Sequence, residues 1–399
     1  MIRPSLSLNF AGTRQLDRRI SFSRASTASY YGADGLLRIA AAGEPRFDHD
    51  PSTGKSLGLL IEESRENLLT YSEQFDNAAW TKTRASISEN ATTAPDGTLT
   101  ADKLIDSTDA ETTHLIAASV SVTAGVTYTM SVFLKGAERT WAQMLSGGTT
   151  FGGVGPVVDL STGTIYSVAG SPVATSIVAI GNGWHRVSVT VTASTTSTGQ
   201  MQIRLAVPTA DVSYTGDGTS GIYIWGAQIE AGAFPTSYIP TTTAAVTRSA
   251  DAASMTGTNF SSWYRAAGGT LFTRHRPIAV TGTRPILSLD DNTANERIEL
   301  RGTSANPELY VIDGAGNSTT LDGGTLAANT EARIAAAFSA SDLAICVNGG
   351  AAVTGSETLP TVDRLRLGTD GTNTLSGHLS HVAFYPSRLS NAKLQLLTA

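Results

Sequence analysis

The chain has almost nothing with which to cross-link itself. Its 399 residues include one cysteine, Cys346, so no intrachain disulfide framework is available, and stability must come from cores, subunit contacts or ions. Cys346 sits in the apolar run Leu343-Ala344-Ile345-Cys346-Val347, where a lone thiol reads as buried filler. Charged residues make up only 16% and aromatics 7%, and the formal net charge is −6. That balance excludes nucleic acid as a partner, because phosphates demand basic patches. No stretch approaches 18 consecutive apolar residues, and Met1-Ile2-Arg3-Pro4-Ser5-Leu6 lacks the apolar centre of a signal peptide. Membrane insertion and standard export are therefore not expected, and synthesis in a cytoplasm is. Lysine is confined to positions 55, 82, 103, 135 and 393, so arginine carries the positive charge. Arginine suits planar recognition of carboxylates, but a GC-rich genome gives the same bias and is the stronger explanation.

Glycine, alanine, serine and threonine are plentiful instead. Threonine suits a pleated, half-wet surface, so the composition predicts an all-β chain, long enough for two or three cores. Between Phe22 and Trp80, turn chemistry separates short apolar runs: Gly32-Ala33-Asp34-Gly35, Gly43-Glu44-Pro45, and Asp48-His49-Asp50-Pro51-Ser52-Thr53-Gly54. Asp48, His49 and Asp50 read as an Asx-type turn more readily than as metal ligands. Leu6, Leu8 and Phe10, and then Ile20 and Phe22, alternate as half-buried strands do. Arg14, Arg18, Arg19 and Arg24 have candidate partners in Glu62, Glu63 and Glu66. A solvated surface is the plain reading of that charge. A segment that orders only against a partner subunit is the sharper one.

Residues 1–72 are thus expected to be an anchoring or oligomerisation segment, and 73–240 a first sandwich. In the latter, Val120–Thr123 and Tyr128–Leu134 flank the Ala124-Gly125 turn, and Trp184–Val191 alternates after Gly181-Asn182-Gly183. Residues 241–262 read as a linker. Residues 263–399 form a second sandwich with turns at Asp313-Gly314 and Asn348-Gly349, closed by Gly377–Tyr385 and a short helix after Ser390-Asn391. The stretch Phe22–Trp80 resembles a module of tailed-phage virion proteins. Residues 94–102, the Val120–Leu134 hairpin, Gly183–Val187 and Ile222–Glu230 resemble jelly-roll carbohydrate-binding modules. The closing pattern resembles concanavalin A-like, laminin G-type lectin domains.

Catalytic signatures are missing. There is no Gly-x-x-x-x-Gly-Lys loop, since residues 146–153 have the glycines but no lysine and read as a flexible loop; no Gly-x-Ser-x-Gly elbow or His-Glu-x-x-His occurs either. Asp290 and Asp291 are adjacent and cannot flank one glycosidic bond from a strand; they read as a turn. His378 and His381, three apart on a strand, fall on opposite faces and do not share a metal. The lectin resemblance implies a calcium rim at Asp290 and Asp291, and the jelly-roll resemblance a structural calcium shared by Asp102 and Glu230.

Sugar binding is the chemistry the residues favour, because aromatic faces stack on pyranose C–H surfaces while Arg and Gln bond the hydroxyls. Trp184, Trp225, Trp80 and Trp263 read as packing. Trp141 is the exception: on a regular strand Arg139, Trp141 and Gln143 share one side, with Gln202 and Arg204 facing them. Arg274 and Arg276, bracketing His275, are candidates for an acidic sugar, although edge-strand solubility explains them more simply. The expected protein is a non-enzymatic virion fibre or spike subunit, a homo-oligomer released by lysis. It would bind host surface polysaccharide and attach to other virion proteins. A polysaccharide depolymerase and a ligand-free decoration protein are the alternatives.

Overall fold

A computed structural model describes residues 3–399. The fold is all-β, as composition and alternation predict, and consists of two sandwiches. In the first, one sheet runs edge to edge through Ala174–Gly181, Trp184–Thr192, Thr127–Gly136, Gly221–Ala231, Ala101–Asp106 and Ala85–Thr92. The opposing sheet runs Thr164–Ala169, Gly155–Asp159, Trp141–Gly147, Ser197–Ala206, Leu115–Val122 and Thr81–Thr83. Alternate residues such as Met130, Val132, Met144, Val189, Ile203 and Ile224 point between the sheets and close a single core. The Gly181-Asn182-Gly183 turn takes positive φ at all three positions (92°, 51° and 77°), which glycine and asparagine tolerate best.

The second sandwich is assembled from both ends of the chain. Its eight-stranded sheet contains Val353–Gly355, Asp342–Val347, Ala332–Ser339, Gly268–Pro277, Gly377–Tyr385, Ser56–Ile61 and Arg46–His49, with Leu6–Leu8 also paired to Gly377–Tyr385. The seven-stranded sheet begins with Ser21–Ser23 and Ala252–Thr256, then runs through Arg364–Leu367, Thr283–Asp290, Arg297–Thr303, Asn306–Ile312 and Ser318–Asp322. Leu6, Leu8, Phe10, Leu59 and Ile61 lie in the same core as Trp263, Leu287, Phe338 and Phe384. Residues 1–72, expected as a segment apart, therefore supply strands to this sandwich. The 241–262 stretch, expected as a linker, holds the internal strand Ala252–Thr256.

The first sandwich is an insertion in the second. The chain leaves through Arg65–Asn67 and returns through Val246–Arg248, and these two strands pair antiparallel, so the ends of the insertion lie side by side. Asn67 clips the junction. Its Nδ2 donates to the carbonyls of Ala227 and Ile239, and its Oδ1 accepts from the backbone of Leu69 and Ile229. The hairpin Ala28–Tyr31/Leu37–Ala40 lies against the outside of the insertion. There Leu37 packs with Phe133, Trp184, Trp225 and Tyr238. Trp184 and Trp225 are buried as expected, but at this junction; Trp80 and Trp263 are in the two cores.

The 146–153 stretch is not a free loop. Phe151 is buried in the first core, edge-on to Tyr128 at 6.0 Å, and a Cβ at Gly199 would come within 2.1 Å of its ring. Cys346 is buried, with its Sγ 3.0 Å from the Gly350 carbonyl and 3.2 Å from Thr398 Oγ1 in the closing helix Asn391–Thr398.

Candidate functional site

Ala142, Met144, Met201, Ile203 and Leu205 face the first core, so their alternating neighbours face outward. The register places Gln143 opposite Arg204 and Leu145 opposite Gln202 on adjacent strands. Trp141, Gln143, Gln202 and Arg204 thus share the outer face of one sheet, as regular alternation predicts. Leu115, Ala117, Leu145 and Val157 lie on this same face and are buried, yet none belongs to the core between the sheets, so the longer side chains around them cover them. Trp141 meets Tyr166 edge-on, ring centroids 4.9 Å apart, and Tyr166 is 57% exposed. The pair forms an aromatic wall at one end of this face.

Polar groups fill the rest of the face. Gln202 Oε1 accepts from Arg204 Nε at 3.1 Å and Nη2 at 2.6 Å, and Gln202 Nε2 donates to Gln200 Oε1. Arg204 Nη1 reaches Gln143 Oε1 at 3.5 Å. Burial draws the Arg204 guanidinium below its ordinary pKa. Asp159, opposite Trp141 in the register, spends its Oδ1 on the Ser161 backbone and hydroxyl.

Arg139 is not on this face. The strand begins at Trp141, and Arg139 turns to Asp106 (2.7 Å) and Asp217 (3.4 Å), with its guanidinium 4.9 Å from the Tyr214 ring centroid. The buried Asp106 carboxylate, with the exposed Asp217 beside it, outweighs the pull of strand alternation. Tyr166 was missed in the sequence. Its signal is the turn Ser161-Thr162-Gly163 followed by the alternating Thr164-Ile165-Tyr166, in which Ile165 packs on the core.

The remaining candidates are dispersed. Arg274 pairs with Glu331 at 2.7 Å and Arg276 donates to the Asn329 carbonyl. Their strand, Gly268–Pro277, lies between two others, so the edge-strand explanation fails. His275 between them points inward, fully buried with neither ring nitrogen partnered, and burial pushes its imidazole down to about 4.

Asp102 and Glu230 are not brought together. Asp102 pairs with Ile224, so Glu230 lies six residues, roughly 20 Å, further along that strand. Asp102 accepts the backbone N–H groups of Phe75 and Asn90, and burial raises its carboxyl pKa. Glu230 accepts from Gln228 Nε2 and from the backbone and hydroxyl of Thr236. Asp290 is buried against Arg366 at 3.0 Å, while Asp291 caps a turn through Thr293. These two carboxyls do not form a shared rim. Among the described residues no cluster of three or more His, Cys, Asp or Glu has metal-binding geometry.

Asp50 makes the expected Asx turn with Ser52 and Thr53, whereas Asp48 reaches across to His378 Nε2 at 2.8 Å. His381 instead bonds Ser7. A cavity of about 330 Å³ lies between the sandwiches, lined by Tyr31, His49, Arg186, Phe234, Tyr238 and His378 among others. Part of its polar lining holds the junction: Asp48 also accepts from the Tyr31 backbone, and Arg186 donates to the Thr236 carbonyl and Ser131 hydroxyl, while His49 Nε2, His378 Nδ1 and Arg186 Nε have no partner. The outer face is the better ligand site, because it carries an aromatic pair with Tyr166 largely exposed and a guanidinium whose partners are neutral amides.

Several solved structures are similar to parts of the chain. The CBM40 module of the Ruminococcus gnavus IT-sialidase aligns at 19% identity over 34% of this chain and 84% of that one, with a TM-score of 0.30. The NanB sialidase of Streptococcus pneumoniae aligns at 11% identity over 37% of this chain and 26% of that one (TM-score 0.31). The binding domain of botulinum neurotoxin serotype D aligns at 11% over 37% and 40% (TM-score 0.29). No protein-family model matches the chain, and no curated protein matches it.

Proposed function

We propose that this chain is a non-catalytic carbohydrate-binding protein. The observation that carries the reading is the outer face of the first sandwich, where Trp141 and Tyr166 stand beside Gln143, Gln202 and Arg204. A pyranose has an apolar C–H face and a rim of hydroxyls. An aromatic wall next to amide and guanidinium groups matches both. We further propose that it serves as a fibre or spike subunit on a phage or phage-like particle, attaching to host surface polysaccharide. The resemblance of Phe22–Trp80 to virion modules supports this. Weak single sites then act by multivalency in a homo-oligomer.

A cleaving role draws no support from the carboxyls. Asp290 and Glu299 lie diagonally across paired strands but are buried beneath Arg297, Arg301, Arg364 and Arg366. The test is a glycan array with the full chain and with Trp141→Ala. Retention on polysaccharide that disappears in the variant is expected, with no oligosaccharide released. Equal retention by both proteins overturns the assignment of the site. Imaging particles labelled on this chain tests the virion role, and unlabelled particles would reject it.

A further inference from the structure

We infer that this outer face selects acidic glycans, with Arg204 receiving a carboxylate or sulfate of the sugar; this rests on the sugar-binding reading of the same face. Arg204 differs from other arginines of the chain that have structural roles. Arg139 has Asp106 and Asp217, and Arg65 has Glu63, but among the described residues no carboxylate lies within 4.0 Å of Arg204. Its partners are two neutral amides. Gln202 Oε1 takes Nε and Nη2, and Gln143 Oε1 lies at 3.5 Å from Nη1.

Those amides fix the plane of the guanidinium without cancelling its charge. Gln143 is itself buried, and Gln202 is braced by Gln200, so the fork is held rather than free to swing. A half-buried cation that has lost hydration and lacks a counter-charge is completed best by an anion, and a guanidinium offers planar carboxylate and sulfate groups two parallel donors. The aromatic wall stands beside it. Arg204 is opposite Gln143, and Trp141 is two residues from Gln143 on the same face. A sugar ring stacked on Trp141 or Tyr166 would present its acidic substituent toward Arg204. The face has one other carboxylate near Trp141, Asp159, which is engaged with its own turn.

The experiment compares oligogalacturonate with its methyl ester by titration calorimetry on the full chain. The two probes share one sugar backbone, the ester replacing each carboxylate by an uncharged methyl ester. Wild type is expected to bind the acid about ten- to a hundredfold more tightly, the range of one charge-assisted hydrogen-bonded contact. Arg204→Gln is expected to erase the difference between acid and ester. Arg204→Lys should retain part of the difference and make it more salt-sensitive. Circular dichroism melts of both variants confirm that the fold is kept. If acid and ester bind wild type equally, and Trp141→Ala abolishes both, acid selection is overturned and the sugar site stands. If neither binds, or if Trp141→Ala leaves binding unchanged, the sugar site itself is overturned, and acid selection with it.

Discussion

Arg46 and Glu62 meet at 2.6 Å, and both side chains are shut off from water. Arg46 also bonds Asp251 at 2.5 Å, Asp251 bonds Arg24 at 3.0 Å, and Arg248 approaches Glu62 at 3.0 Å. Burial alone would raise the Glu62 carboxyl, but Arg248 and Arg46 hold it far below the usual carboxylate range. Ser237, at the returning end of the inserted sandwich, donates its backbone and hydroxyl to the same carboxylate. The network ties the N-terminal strands, the strand exit and the insertion into one body.

Removing one partner leaves an uncompensated buried charge. Arg46→Met and Glu62→Gln are each expected to lower unfolding stability by about 3–5 kcal/mol in urea titrations. A loss below about 1 kcal/mol would show that the network is dispensable.

His275 sets a lower pH limit. Its folded pKa of about 4 lies below the ordinary 6.5, so the unfolded chain binds the extra proton first. The contribution is complete above pH 6.5 and disappears as pH falls toward 4, an effect on the order of 3 kcal/mol. His275→Phe should flatten stability over that window, read from melting temperature against pH.

Glu299 acts with the opposite sign. Burial raises its carboxyl to about 7 against the pull of Arg297, and neither oxygen has a hydrogen-bond partner. The folded state therefore holds the proton longer than the unfolded state, and stability falls as pH rises from about 4.5 through 7. Glu299→Gln mimics the protonated acid and should remove that decline. A wild-type-like slope in the variant would show that Glu299 is not its source.

Cys346 is predicted to be inert. Buried against Thr398 and the Gly350 carbonyl, it should react with a thiol reagent only after denaturant exposes it. Stoichiometric labelling of native protein would contradict this placement.

Much of the fold was legible because strand signals are local. Trp184–Thr192 alternates, Gly181-Asn182-Gly183 supplies positive φ, and the hairpin between them and Ala174–Gly181 follows. The candidate site was partly legible for the same reason: period-two alternation puts Trp141 with Gln143 and Gln202 with Arg204 on any straight strand. Arg139 was misplaced because alternation says nothing about where a strand begins or which carboxylates wait nearby. The Asp102 and Glu230 pairing failed because register along a shared strand, not the presence of both residues, sets their separation.

By itself the sequence determined the all-β class, the turns, the burial of Cys346 and four of the tryptophans, and the grouping of Trp141 with Gln143. Each depends on neighbours within a few residues. Only the tertiary structure decided that residues 6–61 and 252–385 share one sandwich, that the other is inserted between paired strands, and that Arg46, Glu62, Asp251 and Arg248 meet. Those partners are brought together by sheet pairing across hundreds of residues, and no local pattern encodes which distant strand a given edge will meet.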